Sequence, residues 1–356
     1  MSAYNNGRRD TMNSIILTGG GTAGHVTPNL ALIPDLRKKY DEIHYVGSEN
    51  GMEREMIGKV KGVTYHAIPC AKLDRSSVFK NFGLPFVLAD GVKRAKKLIA
   101  EIKPRVIFSK GGYVGLPVSL ASGSTPLIIH ESDLTIGLAN RLALKKADRF
   151  LTAFGIDHPR AERVGAPLRA EIYRGNGAKL RKKLGLTEPL PVLLITGGSL
   201  GAQAINEIVE KSLGALTDKF NVIHLGGKQC GGELLKPRYA RLTFTDDMPG
   251  VYSATDVAVT RGGANTLFEL ASLAIPALVI PLPKGASRGD QIDNARYFSS
   301  LGCAKTLLQS DLTPQSLTSE LDSLLARADR MRLNAKKCSR LDGRKEIAEI
   351  LCSYAK

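Results

Sequence analysis

Apolar runs of four or five residues punctuate the chain, each followed by a longer stretch in which apolar and polar positions recur with helical period. This is the pattern of βα units, whose buried strands read as continuous apolar runs. In the first half the runs at 14–18, 42–46, 105–109 and 127–130 are predicted strands. In the second half 192–196, 221–224, 256–260 and 277–280 are predicted in the same way. Both halves open identically, with an apolar strand, a glycine-rich turn and a helix. Between them ERVGAPLRAEIYRGNG (162–177) gathers Gly, Pro and charges, and the domain boundary is expected there. The expected organisation is an α/β chain of two doubly wound, Rossmann-like domains, 12–165 and 166–337, facing across a cleft, with 338–356 as a charged terminal helix. Ligands of such sheets bind outside the carboxyl ends of the strands, which directs attention to the glycine turns.

Composition narrows the class. With 43% hydrophobic and 24% charged residues the chain can bury sizeable cores, which excludes global disorder. A formal charge of +16 points to an anionic partner such as phosphates or an acidic membrane surface. Trp is absent and no basic run is interleaved with aromatics, so nucleic acid is not expected. The five cysteines (70, 230, 303, 338, 352) never form CxxC, which fits a reducing compartment and neither a disulfide framework nor a zinc site. No metal or cofactor is expected. The opening MSAYNNGRRDTMNS lacks the apolar core of a signal peptide, and Met12 is an alternative start to Met1. No run approaches the roughly 20 apolar residues that span a bilayer, so a membrane would be met from the side.

The first glycine loop, ILTGGGTAGHVTPNLAL (16–32), contains GxGxxG as Gly19, Gly21 and Gly24 between a strand and a helix. Glu49 follows at about the distance of a ribose-binding acid, so an NAD-dependent dehydrogenase is a competing reading. Against it, His25 and Pro28 stand at the helix mouth, where a dinucleotide needs close backbone approach. The design also recurs in LLITGGSLGAQAIN (193–206) and FSKGGYVGLPVSLA (108–121). Free N–H groups at a helix start favour an anion, so these turns suit two phosphate-bearing substrates better than hydride transfer. In DVAVTRGGANTLFELASLAIPALVIPLP (256–283), a helix starting near Ala264 puts Asn265 and Glu269 on one face. Leu267, Leu270, Ala271 and Ala274 fall on the other. Glu269 either accepts hydrogen bonds from both hydroxyls of a ribose or simply complements the helix dipole.

Taken together, GGGTAGHVTPNLAL, SKGGYVGLPVSLAS, HESDLTIGLANRLA, VGAPLR, ITGGSLGAQAIN and TRGGANTLFELASLAIPALVIPLPKGASRGDQIDNA resemble the ordered motifs of the MurG family, from about residue 14 to 305. These enzymes transfer N-acetylglucosamine from its UDP-sugar to undecaprenyl-diphospho-muramoyl-pentapeptide (lipid I), giving lipid II for peptidoglycan. The resemblance implies a GT-B fold, inversion at the anomeric carbon and no metal. It implies that Thr22, Ala23 and Gly24 lie near the donor sugar and diphosphate, and that Arg169 and Ser199 contact the donor. Ala264, Asn265, Thr266, Leu267, Phe268 and Glu269 line the nucleotide, with Glu269 on the ribose and Gln291 on the N-acetylglucosamine. Asp133 is assigned to the donor too, although many members carry Asn there. Gly20, Gly21, Gly111, Gly112 and Tyr113 are candidate seats of the acceptor diphosphate.

His25 is the candidate general base, its unperturbed pKa lying near working pH; the alternative is a hydrogen-bond donor to phosphate. The other histidines are expected to be structural, and Asp246–Asp247 a solvated turn rather than a metal site. The segment 70–97 combines Phe79, Phe82 and Phe86 with Lys72, Arg75, Lys80, Lys93, Arg94, Lys96 and Lys97. It is the expected dock on the anionic cytoplasmic face of the membrane. Other cell-wall synthesis enzymes are expected as further partners. A different GT-B lipid glycosyltransferase, a UDP-sugar epimerase and a non-catalytic UDP-binding module remain alternatives.

Overall fold

The computed structural model describes residues 12–72, 82–198, 201–228, 230–285 and 289–355. Ser199 and, in the expected membrane segment, Arg75, Phe79 and Lys80 lie outside them. The described residues fall into two compact units. The first runs to Glu131, resumes over Ile136–Pro167 and is completed from Gly343 onward; the second comprises Ser132–Thr135 and Leu168–Asp342.

In the first unit, β1 (Ser14–Thr18), β2 (Glu42–Ser48), β3 (Thr64–Ile68), β4 (Val106–Ser109), β5 (Leu127–Glu131), β6 (Arg149–Thr152) and β7 (Ala161–Arg163) form one sheet. Their order is β3-β2-β1-β4-β5-β6-β7 and the pairings are parallel, with Ile15 opposite both Ile43 and Val106. The crossovers carry α1 (Ala23–Leu36), α2 (Met52–Gly58), α3 (Leu84–Ile102), α4 (Gly112–Ala121) and α5 (Leu138–Ala143). Side chains alternate across the sheet, so neighbours in β1 serve different cores. Ile15 and Leu17 pack with Leu32, Tyr45 and Phe108 on one face. Ile16 packs with Val46, Ala95, Ile99 and Val118 on the other.

The second unit repeats the plan with β8 (Val192–Thr196), β9 (Asn221–Leu225), β10 (Leu234–Lys236), β11 (Tyr239–Leu242), β12 (Val257–Thr260), β13 (Ala277–Val279) and β14 (Ala304–Thr306). Its order is β10-β11-β9-β8-β12-β13-β14. Only the β10–β11 hairpin is antiparallel among the described pairings, turned at Arg238 with φ 62°. The helices are α6 (Gly177–Lys183), α7 (Gln203–Lys211), α8 (Leu213–Thr217), α9 (Met248–Ala254), α10 (Ala264–Ser272), α11 (Asp290–Ser300), α12 (Pro314–Ala326) and α13 (Ala328–Lys337). A Thr313–Ser316 capping box starts α12. In both sheets the strand order reverses at a crevice, between β1 and β4 and between β8 and β12, where such folds bind ligands.

The chain ends on α14 (Arg344–Cys352), shorter than the helix expected over 338–356. It belongs to the first unit. Ile347, Ala348 and Leu351 join the core of Ile15 and Leu17, and Tyr40 Oη donates to the carbonyl of Leu351 at 2.5 Å. Among the described residues no helix is long and apolar enough to cross a membrane.

Candidate functional site

In the first unit the crevice is built by two glycine turns. Gly19 and Gly21 have φ of 147° and 83°, and α1 begins two residues later. Beneath this turn Glu53 is completely buried. Its Oε2 accepts from Gly21 N–H at 3.1 Å and its Oε1 from Ser48 N–H at 3.0 Å, with Ser48 Oγ–H a further donor to Oε1. A Cβ on Gly20 would lie 2.6 Å from that carboxylate, so only glycine fits. Behind the loop, Tyr45 Oη donates to Gly19 O at 2.5 Å, and its hydroxyl is pushed up by burial.

The second turn, Gly111–Gly112 at the end of β4, meets the first. A Cβ on Gly112 would come within 2.9 Å of Gly20 O and 3.7 Å of the His25 ring, and one on Gly21 within 2.4 Å of the Tyr113 ring. Gly20, Gly21, Gly112, Tyr113 and His25 are therefore neighbours, as the motifs suggested. The N–H groups of Gly21 and Gly111 are turned inward, to Glu53 and to Ser109 Oγ (3.2 Å), rather than toward a ligand. His25 Nδ1 lies 2.9 Å from Thr22 Oγ1, while Thr22 and Gly24 are exposed at the rim. Deeper still, buried Lys110 bonds to His130 Nδ1, and His130 Nε2 lies 2.9 Å from Gly165 O. Burial, then the Lys110 ammonium, hold that imidazole well below its usual range, so it is neutral and structural.

In the second unit Glu269 lies on α10 and is 8% exposed. Tyr252 Oη donates to its Oε2 at 2.7 Å, and Arg169 Nη2 stands 3.8 Å from Oε1. Burial raises the carboxyl and outweighs the lowering by Tyr252 and Arg169. The Tyr252 hydroxyl, fully buried against it, is raised well above its ordinary value. Glu269 is thus held by partners before any ligand arrives, more enclosed than its place near a helix start suggested. Ala264, Leu267 and Phe268 are buried, whereas Asn265 and Thr266 are half-buried. Ala274, expected on the same helix, lies beyond it with φ 53°.

Gln291 Oε1 accepts from Gly262 N–H at 3.2 Å and Leu282 N–H at 3.1 Å, which fixes the amide with its –NH2 as the remaining donor. Asn294, fully buried, donates to Asp133 Oδ1 and to Gly262 O, each at 3.1 Å, and accepts from Leu134 N–H at 3.3 Å. Asp133 is thereby seated with Gly262 and α11 in this unit. At the β8 turn Gly198 and Gly201 have φ of 83° and 81°, and a Cβ on Gly201 would meet Gly226 O at 2.4 Å. Asp247 caps α9 through Gly250 N–H at 2.9 Å. Among the described residues no group of three His, Cys, Asp or Glu is placed to hold a metal.

Sequence reasoning missed Glu53, Tyr252 and Asn294, which hold residues it did find. Only Asn294 sat inside a quoted motif.

The chain matches the N-terminal domain of glycosyltransferase family 28 over residues 15–152 and its C-terminal domain over 192–351. It is 42% identical over 97% of its length to the UDP-N-acetylglucosamine–N-acetylmuramyl-(pentapeptide) pyrophosphoryl-undecaprenol N-acetylglucosamine transferase of Clostridium botulinum, covering 100% of that protein. The chain belongs to the MurG family. A MurG relative of the same description from Geobacillus kaustophilus is 42% identical over 96% of this chain and 99% of its own. The fold matches the crystal structure of Acinetobacter baumannii MurG at TM-score 0.75 and 23% identity, covering 95% of this chain and 99% of that one. A calicheamicin glycosyltransferase matches at TM-score 0.66 and 14% identity, covering 96% and 98%. Two Rossmann-like domains of the GT-B class follow. Membership of MurG sets aside the dinucleotide reading of Gly19–Gly24 and Glu49.

Proposed function

We propose that this protein is the inverting glycosyltransferase that moves N-acetylglucosamine from UDP-N-acetylglucosamine to lipid I, giving lipid II. The full-length match to the MurG transferases carries this reading. In it the second unit holds the donor. Glu269, fixed by Tyr252, accepts from the two ribose hydroxyls, and the Gln291 –NH2 donates to the sugar. Arg169 contacts the donor, and Ser199 with the helix opening after Gly198 takes its diphosphate, supplying positive potential without a metal. Asp133 accepts from a sugar hydroxyl. In the first unit the start of α4, at Gly112 and Tyr113, takes the acceptor diphosphate, because the N–H groups of Gly21 and Gly111 are already engaged.

His25 is the general base. Its Nδ1 lies 2.9 Å from Thr22 Oγ1, a contact that orients the ring for this role. The acceptor oxygen bonds to the anomeric carbon as the bond to UDP breaks on the opposite face. The hydroxyl proton passes to His25 and UDP leaves with the bonding electrons.

The enzyme works as a peripheral protein on the cytoplasmic face of the membrane. Support comes from Phe82 and Phe86, 71% and 79% exposed at the start of α3, beside exposed Lys93, Arg94, Lys96 and Lys97. Other cell-wall synthesis enzymes are further partners in this reading. Incubation with UDP-N-acetylglucosamine and a lipid I analogue, with the product identified by mass and linkage, tests the assignment. Release of UDP with no sugar on the acceptor overturns it.

A further inference from the structure

A cavity of about 340 Å³ opens in the first unit at the ends of β2 and β3, bordering the second glycine turn at Tyr113. Its size is at the lower end of the roughly 300–1,000 Å³ typical of small-molecule sites. One wall is apolar, made by Ile68, Cys70, Val87 and the Tyr113 ring that also covers Gly21. The opposite wall is the turn after β2, with Glu49 and Asn50 exposed at the mouth.

No Lys, Arg or His lines this cavity among the described residues, in a chain of net charge +16. The nearby Arg54 guanidinium is held at the Glu49 main-chain carbonyl, 2.9 Å away. The buried Glu53 carboxylate stands behind the same turn. Burial pushes the Cys70 thiol up to about 12, and the Glu53 and Glu49 carboxylates add to that rise. Such a cavity disfavours a diphosphate and favours a cation carried on an apolar stem.

We propose that this cavity is an acceptor subsite that takes the aliphatic, ammonium-bearing side chain of a basic residue in the acceptor peptide, with Glu49 as its counter-charge. The stem packs on Ile68, Val87 and Tyr113 while the ammonium reaches Glu49 at the mouth. The inference rests on the lipid I reading above and adds a source of discrimination among acceptor peptides.

The test compares two synthetic lipid I analogues, one whose peptide carries lysine and one carrying Nε-acetyl-lysine. An exposed charge pair at the strong end of its range gives about a fivefold higher kcat/KM on the lysine acceptor. Glu49→Gln, a surface substitution, brings that ratio to about one and leaves UDP affinity unchanged. Equal kcat/KM on both acceptors with the natural enzyme overturns the subsite, as does a fivefold ratio surviving in Glu49→Gln. Transfer to neither acceptor removes the lipid I reading instead, and the subsite falls with it.

Discussion

In the proposed function Glu269 couples the donor site to the stability of the second unit, and two substitutions separate those contributions. Glu269→Ala leaves the Tyr252 hydroxyl unpaired where it is fully buried. An orphaned buried hydroxyl costs about 1–3 kcal/mol. The same change removes the acceptor for the ribose hydroxyls, so UDP affinity falls by about 1.5–3 kcal/mol, or roughly 10- to 150-fold. Glu269→Gln keeps an oxygen for Tyr252 and removes only the charge. Burial raises the folded-state pKa above the unfolded value near 4.3, so the protonated form is the one folding favours. The resulting stability is present below the unfolded pKa and is lost as pH rises through the folded one. At pH 7.5 Glu269→Gln is therefore at least as stable as the natural protein, yet binds UDP weakly. Calorimetry with UDP and urea melts at pH 5 and 7.5 measure both. A Gln variant that binds UDP with unchanged affinity refutes the ribose assignment. One as destabilised as the Ala variant refutes the claim that burial of the charge opposes folding.

His25→Ala lowers turnover by about 10²–10⁴-fold with donor binding unchanged; turnover surviving within a few-fold assigns proton removal elsewhere. Activity persists in EDTA, and a loss restored by Mg²⁺ overturns the metal-free mechanism. His224 is held neutral inside the second unit, lowered from 6.5 to about 4 by burial and then by Arg241. Its folded pKa is depressed, so the unfolded chain takes up a proton first and stability falls as pH drops from 6.5 toward 4. Melts across that window show a loss on the order of a few kcal/mol, and a flat profile contradicts it. Changing Lys93 and Lys97 to Glu weakens sedimentation with anionic vesicles and activity on a long-chain acceptor while sparing a short soluble one; equal loss on both places the dock elsewhere.

Legibility of the fold followed burial in part, since β6 (Arg149–Thr152), inside its sheet and mostly buried, was still missed. The runs at 14–18 and 192–196 match β1 and β8, which lie inside their sheets and are buried throughout. Strands β3 and β7 were missed because they lie at a sheet edge: β3 is largely exposed or half-buried and β7 half-buried, so neither shows a continuous apolar run. The hairpin strands β10 and β11 are only three and four residues long. At the candidate site, the residues singled out were legible because they cluster in short glycine-rich motifs. Their supports were not, because each arrives from a distant part of the chain. Glu53 meets Gly21 across 32 positions, and Asn294 meets Asp133 across 161. No local spacing encodes such pairs.

The route of the chain through its units sets the order of events on the ribosome. The first unit holds the earliest residues, but its core includes Ile347 and Leu351 of α14. Synthesis must pass through the whole of Leu168–Asp342 before that core is complete. At typical elongation rates this interval is on the order of ten seconds or more. The later-made unit therefore has all its own residues first, while the earlier one waits with a strip of apolar surface uncovered. A nascent chain of this enzyme presents that strip to chaperones, and a stop codon before α14 leaves it permanently open in the first unit while the second has all its residues.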